Sequence, residues 1–318
     1  MASSEKYECS LDKASLKKAE KELNEDPKER ESAVASLRQW VEQNSAWLKS
    51  PTDTRFLLMF LRNAKFVQLA ARKRLVNYWT GRTNNKEWFE NVDTLDKKTE
   101  ECLKIGNFMP LPRRDKQGRV IFFGKPGAID VSGGCSVDDV MKASCASIDY
   151  CLMDENAQVN GFFFFQDMSD MTVKHQSFFG VDVMRRSMKV WIKSYPARYK
   201  SVHYYNTNPV FDAIFAIIRP LMPEKLQQRL NFHGKNLSSL YKHIDQECLP
   251  SEYLPDDFKG NNVGSLQQCT DDFIQKMQQP EVRDYLLHLS SSKFGVNEDL
   301  KPSDDELFNE SFRKLNVD

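Results

Sequence analysis

The 318-residue chain lacks an excess of either charge, because 45 lysines and arginines are balanced by 45 aspartates and glutamates. That balance excludes a general electrostatic pull toward nucleic acid or an anionic membrane, so any anion contact must be local. No stretch reaches the ~18 apolar residues of a spanning helix, and MASSEKYECSLDKASLKKAE has no apolar run for a signal peptide. The reading is of a soluble, cytosolic protein. Low-complexity tracts and internal repeats are missing too.

Recognisable catalytic chemistry is equally scarce. There is no GxSxG, GxGxxG, Walker loop or HExxH. The seven cysteines (Cys9, Cys102, Cys135, Cys145, Cys151, Cys248, Cys269) are odd in number and form no CxxC pair. Neither a disulfide framework nor a zinc site is indicated, and reduced thiols are expected. None has an arginine six positions later, which argues against a phosphatase loop. His175, His203, His233, His243 and His288 are scattered without ligand spacing and read as structural or surface residues. Asp167 and Asp170 are expected to cap a turn, and Gly133-Gly134 to form one. No metal, cofactor or catalytic residue is expected.

What is present is organised around Asn206 to Gly234. Read as a helix from Val210, one apolar stripe holds Val210, Ile214, Ile217 and Leu221, and a second holds Phe211, Phe215, Ile218 and Met222. Together they span roughly 200°, about twice the usual core-facing width. Asp212 and Arg219 share the narrow remaining edge. One stripe can pack on a core; the other needs an apolar partner as well, which could be more protein, a ligand or a membrane. Pro220 and Pro223 interrupt the helix, and beyond them Lys225 and Arg229 share a helical face. Such an element suits a lid that meets a phospholipid surface.

Along the chain, residues 1 to about 30 read as charged and partly frayed. Glu31 to Lys49 suits an amphipathic helix, and after Pro51 come RFLLMFLRNAKF, with Thr52 and Asp53 as N-cap candidates, and QLAARKRLVNYWTGR. These make a helical domain over 10–85. Val120 to Phe123 is a short buried strand after the Asp115 to Gly118 turn, and SVDDVMKASCASIDYCLMDE is a helix with Ser136 as N-cap. GFFFFQ, from Gly161 to Gln166, suits a strand covered on both faces. A helix follows over about Val181 to Ser194, then strands at Ser201 to Tyr205 and Leu230 to His233. Strands alternating with helices predict an α/β domain over 100–262 with a mostly parallel sheet. Residues 263–318 are a helical extension and a loosely held tail.

The motifs TRFLLMFLRNAKF, DKQGRVIFFGKPG, NGFFFFQDMSD, SYPARYKSVHYYNTNPVFDAIFAIIRPLM, LNFHGK and LPSEY occur in the order that characterises the CRAL-TRIO family of lipid-binding proteins. The chain resembles that family from about residue 30 to 260, most closely its tocopherol and retinaldehyde carriers. The resemblance implies a helical N-terminal domain and a sheet flooring an apolar cavity closed by a mobile lid helix. It also implies a non-covalently held hydrophobic ligand and transient contact with a phosphoinositide-containing membrane.

On this resemblance, the pocket and lid comprise Ser144, Ile148, Phe163, Phe165, Val190, Trp191, Tyr195, Val202, Phe211, Ile214, Phe215, Ile218 and Met222. Head-group contact falls to Arg198, Lys225, Arg229, Arg62 and Lys65. A fourth basic position of the family falls on Ala64, with Arg62 and Lys65 beside it. Ser144 matches a pocket serine of the family, but a second serine is replaced by Ile148, and Trp191 and Tyr195 are bulkier or more polar than the side chains usual there. The Gly-Gly that usually follows LPxEY is replaced by Leu254 and Pro255. The implied function is transfer of a tocopherol, retinoid, carotenoid or similar isoprenoid between membranes. Phospholipid exchange, or a phosphoinositide-sensing interaction module without transport, are the alternatives, with an unrecognised hydrolase behind them.

Overall fold

The computed structural model describes residues 7–313. Its centre is a five-stranded sheet in the order β2 (Phe108–Arg114), β3 (Val120–Gly124), β4 (Phe162–Asp167), β5 (Tyr199–Tyr205), β6 (Leu230–Phe232). All neighbours are parallel except β2 against β3. β2 was not foreseen: its two prolines cannot donate to a ladder, which suits the edge position it occupies. A separate pairing of β1 (Leu48–Lys49) with β7 (Gly295–Val296) ties the N-terminal helices to the C-terminal extension.

Helices α1 (Lys13–Leu23), α2 (Arg30–Gln43), α3 (Thr54–Asn63), α4 (Gln68–Thr83), α5 (Lys86–Phe89) and α6 (Lys97–Lys104) precede the sheet. The Asp53 carboxylate accepts from the Phe56 amide at 3.0 Å and starts α3. The helix expected to reach Lys49 stops at Gln43, and the segment expected to be frayed contains α1, whose Ala19 and Leu23 are buried against Val159. Only residues 1–6 of that segment lie outside the description.

Next come α7 (Val137–Leu152), α8 (Glu155–Asn160), α9 (Val173–Lys189), α10 (Pro209–Ile218), α11 (Glu224–Gln227) and α12 (Leu237–Leu240). Ser136 and Asp139 form a reciprocal capping box on α7, most of which is buried. α9 begins before the predicted Val181, bends at Gly180 (φ 60°), and runs into a wider π-type turn over Val190–Ser194. In α4, Arg74 donates to the carbonyls of Ile192 and Lys193 at 2.8 and 2.7 Å, satisfying the end of that turn. The extension carries α13 (Leu266–Met277), α14 (Pro280–Leu289) and α15 (Asp304–Arg313).

The sheet separates two cores. Phe122, Phe162 and Phe164 share one with α3 and α4, so the N-terminal helices and one sheet face have a common interior. Ile121, Phe123, Phe163 and Phe165 share the other with Phe273, Leu249 and Tyr253. One expectation fails outright: Cys102 and Cys135, 6.2 Å apart at Cα, are joined in a disulfide. Thirty-three residues separate them in sequence, a contact that spacing rules for CxxC pairs do not reveal.

Candidate functional site

The chain leaves the sheet after Tyr205 and re-enters it at Leu230, and α10 lies in that excursion. Asn208 opens the helix, its side-chain oxygen accepting from the amides of Val210 and Phe211 at 3.0 Å each, with Pro209 in the first turn. A 3-10 turn over Arg219–Leu221 carries Pro220 and ends it. The Phe211 ring lies 4.9 Å from Tyr204 and 5.3 Å from Phe215, and Phe215 lies 5.8 Å from Tyr204 and 5.4 Å from Phe232. Met168 and Met171 complete this cluster beneath the helix.

The two stripes are covered unequally. Phe211 and Met222 are buried and Phe215 and Ile218 half-buried, whereas Val210, Ile214 and Ile217 are half-buried and Leu221 is exposed. Within α10 only Phe211 is fully withdrawn from water. Beside it, α9 buries only His175 and Met184 of its 17 residues and exposes Val173 and Val181. Phe232 adds another exposed ring at 52 %. α9 packs on α10, and Phe215 of α10 on Phe232 of β6, so the three elements share an apolar surface that the protein covers only in part.

Strand register decides which side chains share the sheet face toward α10. Phe122, Phe164, Val202 and Leu230 align across four strands, and Val202 and Leu230 pack with Phe211 and Tyr204. Phe163 and Phe165, one residue out of phase with Phe164, point to the opposite face, where Phe163 stacks on His203 at 4.2 Å and Phe165 meets Tyr253 at 5.0 Å. Neither lies on the expected α10 side: both belong to the opposite core. Four phenylalanines in succession carry no alternation, so the sequence could not assign their faces.

Trp191 is half-buried, 5.4 Å from both Phe108 and Tyr195, and its carbonyl accepts from the Tyr199 hydroxyl at 2.6 Å. Tyr195 reaches deeper: its hydroxyl donates to the Cys145 carbonyl at 3.0 Å, and its ring lies near Tyr78 and Phe89. Val190 and Ile148 are buried in the same core, and Ser144 donates to the Val140 carbonyl at 2.8 Å. Ile148, Val190, Trp191 and Tyr195 thus belong to the core shared with the N-terminal helices and not to the cluster beneath α10. Phe122, Phe164, Tyr204, Met168, Met171 and Phe232 were missed; Tyr204 was legible in principle, two residues from Val202 on the same strand face.

The basic candidates separate by environment. Lys225 is exposed on α11, and the Arg229 guanidinium donates to the Tyr199 carbonyl. Arg198 donates to the Val159 carbonyl and, at 2.9 Å, to Glu22 of α1, which also accepts from Lys200 at 3.2 Å. Burial raises the Glu22 carboxyl, but the bonds from Arg198 and Lys200 outweigh it and hold the group below its ordinary range. Burial, reinforced by Arg198, pushes the Lys200 ammonium down. Lys65 is exposed in a left-handed conformation (φ 53°).

Arg62 does not join them. Its guanidinium is fully buried, bonded to Glu25 and Glu155 at 2.9 Å each and to Gln158 at 2.8 Å. Burial opposes its charge, but Glu25 and Glu155 hold the pKa above the ordinary arginine value. It is a buried counter-ion joining the α1–α2 connection, α3 and α8. A run such as RNAK reads as a solvated helix end, and nothing in it reveals two distant glutamates.

The histidines also differ from expectation. His175 accepts from the Thr172 amide at 3.1 Å as part of the α9 cap. His203, His233 and His243, however, converge on the sheet face away from the lid, with ring centroids 4.8 to 5.8 Å apart. Asp167 does cap its turn, accepting from the Ser169 amide at 2.9 Å. A groove of ≈ 350 Å³ lies between β2 and α13, lined by Pro112, Tyr150, Phe273 and Val282; it contains no residue of the lid or its floor.

Residues 105–253, from the end of α6 to the 3-10 turn at Ser251–Tyr253, match the CRAL/TRIO domain. Over 283 residues the chain is 30% identical to the human (Homo sapiens) alpha-tocopherol transfer protein-like protein, covering 86% of this chain and 80% of that one. The chain belongs to the CRAL/TRIO family. It is also 32% identical over 248 residues to human clavesin-2, covering 77% of this chain and 75% of that one, and 31% identical over 245 residues to Xenopus laevis clavesin-1, covering 76% and 73%. Membership places it among lipid-binding and lipid-transfer proteins. The CRAL/TRIO match takes in the five-stranded sheet and α7 to α12, while α1 to α6, with Arg62 and Glu22, lie outside it.

Proposed function

We propose that this CRAL/TRIO protein holds one small hydrophobic molecule between the Phe122, Phe164 and Val202 face of its sheet and the α9–α10 mouth, and transfers it between membranes. The supporting observation is the lid: a ten-residue helix apolar on two stripes, with only Phe211 fully buried. Each methylene moved from water into such a site contributes about 0.8 kcal/mol, so a long isoprenoid chain supplies most of the affinity and a few polar groups the selectivity. The cargo is a tocopherol, retinoid, carotenoid or similar isoprenoid, held without a covalent bond, and no bond in it need be broken. The alpha-tocopherol transfer protein-like relative supports that class.

Release takes place where α10 meets a phosphoinositide-bearing surface. Leu221 and Phe232 enter the interface, while Lys225, Arg229 and Arg198 attract the head group. No helix among the described residues is long and apolar enough to cross a membrane; the contact in this reading is peripheral and transient. The test is transfer of a fluorescent tocopherol between donor vesicles and acceptor vesicles with or without a phosphoinositide. Transfer that accelerates with the phosphoinositide supports the whole reading. Equal transfer to both acceptors removes the head-group element; recruitment without transfer favours an interaction module, and movement of phospholipid alone favours phospholipid exchange.

A further inference from the structure

Ser239, His233 and His203 form a proton-ordered chain on the sheet face away from the lid. The Ser239 hydroxyl lies 2.9 Å from the Asn236 carbonyl and donates to it. It therefore accepts from Nδ1 of His233, 2.7 Å away. With its proton on Nδ1, His233 offers the lone pair of Nε2 to Nδ1–H of His203 at 2.9 Å. The consequence falls on His203, 1 % exposed: its Nε2 is left as a bare lone pair, buried and without a hydrogen-bond partner.

That chain sits at both roots of the lid. His203 is on β5, three residues before the lid excursion begins at Asn206, and His233 follows β6, where the excursion returns. The His233 amide donates to the Tyr204 carbonyl at 2.9 Å and the Asn206 amide to the Gly234 carbonyl at 2.7 Å, so the same few residues close the neck of the loop carrying α10. β6 has three residues and pairs only with β5.

We propose that the His203–His233–Ser239 relay is an acid-sensitive latch, whose protonation loosens β6 from β5 and frees both roots of the lid. A proton on His203 Nε2 would place a cation where no acceptor waits, and a second proton on His233 would break its bond from His203 outright. The surroundings offer no relief. From β4 the neighbour is the Phe163 ring, with the Arg119 guanidinium 5.1 Å from its centre and itself paired to Asp115. From the turn after α12 comes the exposed His243, near the Lys116–Asp245 pair. Among the described residues no carboxylate is bonded to either ring of the relay.

Burial, then His233, His243 and Arg119, push His203 from 6.5 down to about 3, and burial with His243 also pushes His233 down. The open form binds protons that the closed form cannot, so the latch is intact above about pH 6.5 and weakens as pH falls below it. For one ring titrating at 6.5 when open and about 3 when closed, the closed state loses about 25-fold in equilibrium constant between pH 7 and pH 5. An anionic leaflet at about −30 mV lowers local pH by roughly half a unit, in the direction of opening. The link to cargo release rests on the carrier reading; the latch does not.

The test is hydrogen–deuterium exchange without cargo at pH 7 and pH 5, corrected for intrinsic rates, on wild type and His203→Phe, which keeps a ring against Phe163 but cannot titrate. Protection over 228–243 and over 209–222 should fall together in wild type, by roughly 25-fold where opening limits exchange, and not in the variant. The proposal is overturned by equal protection at both pH values, by an equal fall in His203→Phe, or by loss over 228–243 that leaves 209–222 unchanged. Should His203→Phe not fold, imidazole nitrogen spectra of the wild type decide: His203 must be the Nδ1–H tautomer at pH 7, and the Nε2–H tautomer refutes the relay. No cargo enters either measurement, so failure here leaves the carrier reading intact, and failure of vesicle transfer leaves the latch intact.

Discussion

The ring of Phe211 packs 4.9 Å from that of Tyr204, and through that contact α10 is seated on the sheet. Phe215 adds contacts to Tyr204 at 5.8 Å and Phe232 at 5.4 Å, while the other apolar residues of the helix are partly or wholly exposed to water, so protein contacts hold α10 through a small cluster centred on Phe211. Phe211→Asp places a carboxylate in that seat. Truncating a buried phenylalanine alone costs about 3–5 kcal/mol, and in a locally opening element the loss appears in the lid rather than in global unfolding. Cargo release should speed up at least tenfold with little change in melting temperature, and Ile218→Asp should act in the same direction more weakly. Unchanged transfer kinetics in both variants would remove the lid assignment.

Arg62→Ala should behave in the opposite manner. Removing the cation leaves Glu25 and Glu155 buried without it, a loss of about 3–5 kcal/mol. Denaturant unfolding should show that loss, while the preference for phosphoinositide vesicles, measured on folded protein, stays the same. Normal stability with a lost vesicle preference would return Arg62 to the head-group set.

Glu22 occupies Arg198 and Lys200, and on the proposed head-group contact it competes for them. Glu22→Gln should strengthen binding to phosphoinositide vesicles several-fold, and Lys225→Ala with Arg229→Ala should weaken it. Since the Glu22 carboxyl is held below its ordinary value, its ion pairs stabilise the docked α1 above that ordinary value and are lost as pH falls through the lowered one. Sedimentation with vesicles as a function of pH reads this directly. Identical binding by wild type and Glu22→Gln would show that the carboxylate does not cover the site.

The disulfide gives a countable outcome. Denatured, unreduced protein should expose five thiols (Cys9, Cys145, Cys151, Cys248, Cys269) and seven after reduction. Closing 33 residues constrains the unfolded chain by about 3–4 kcal/mol on the chain-entropy account, so Cys135→Ser should lower stability by up to that amount. Seven thiols without reductant would contradict the pairing.

The fold was legible where local pattern and tertiary demand agree. Ser136 caps α7 because a short hydroxyl followed by Asp139 suits both ends of a capping box, and the double stripe of α10 is visible by counting. What was hidden depends on contacts distant in sequence. The face of Phe163 follows from the register of β4 against β5, the burial of Arg62 from glutamates 37 and 93 residues away, and the histidine relay from strands that meet only in the sheet. The edge strand β2 was hidden by its own prolines, which read as a loop until the edge is known.

The carrier account is tested most directly by native mass spectrometry of the protein after incubation with mixed vesicles, followed by solvent extraction of what it has bound. The account predicts one isoprenoid molecule per chain, displaceable by a competing tocopherol, retinoid or carotenoid, and lost from Phe211→Asp. A protein that docks on the vesicles yet emerges empty, and that none of these ligands stabilises, would contradict it.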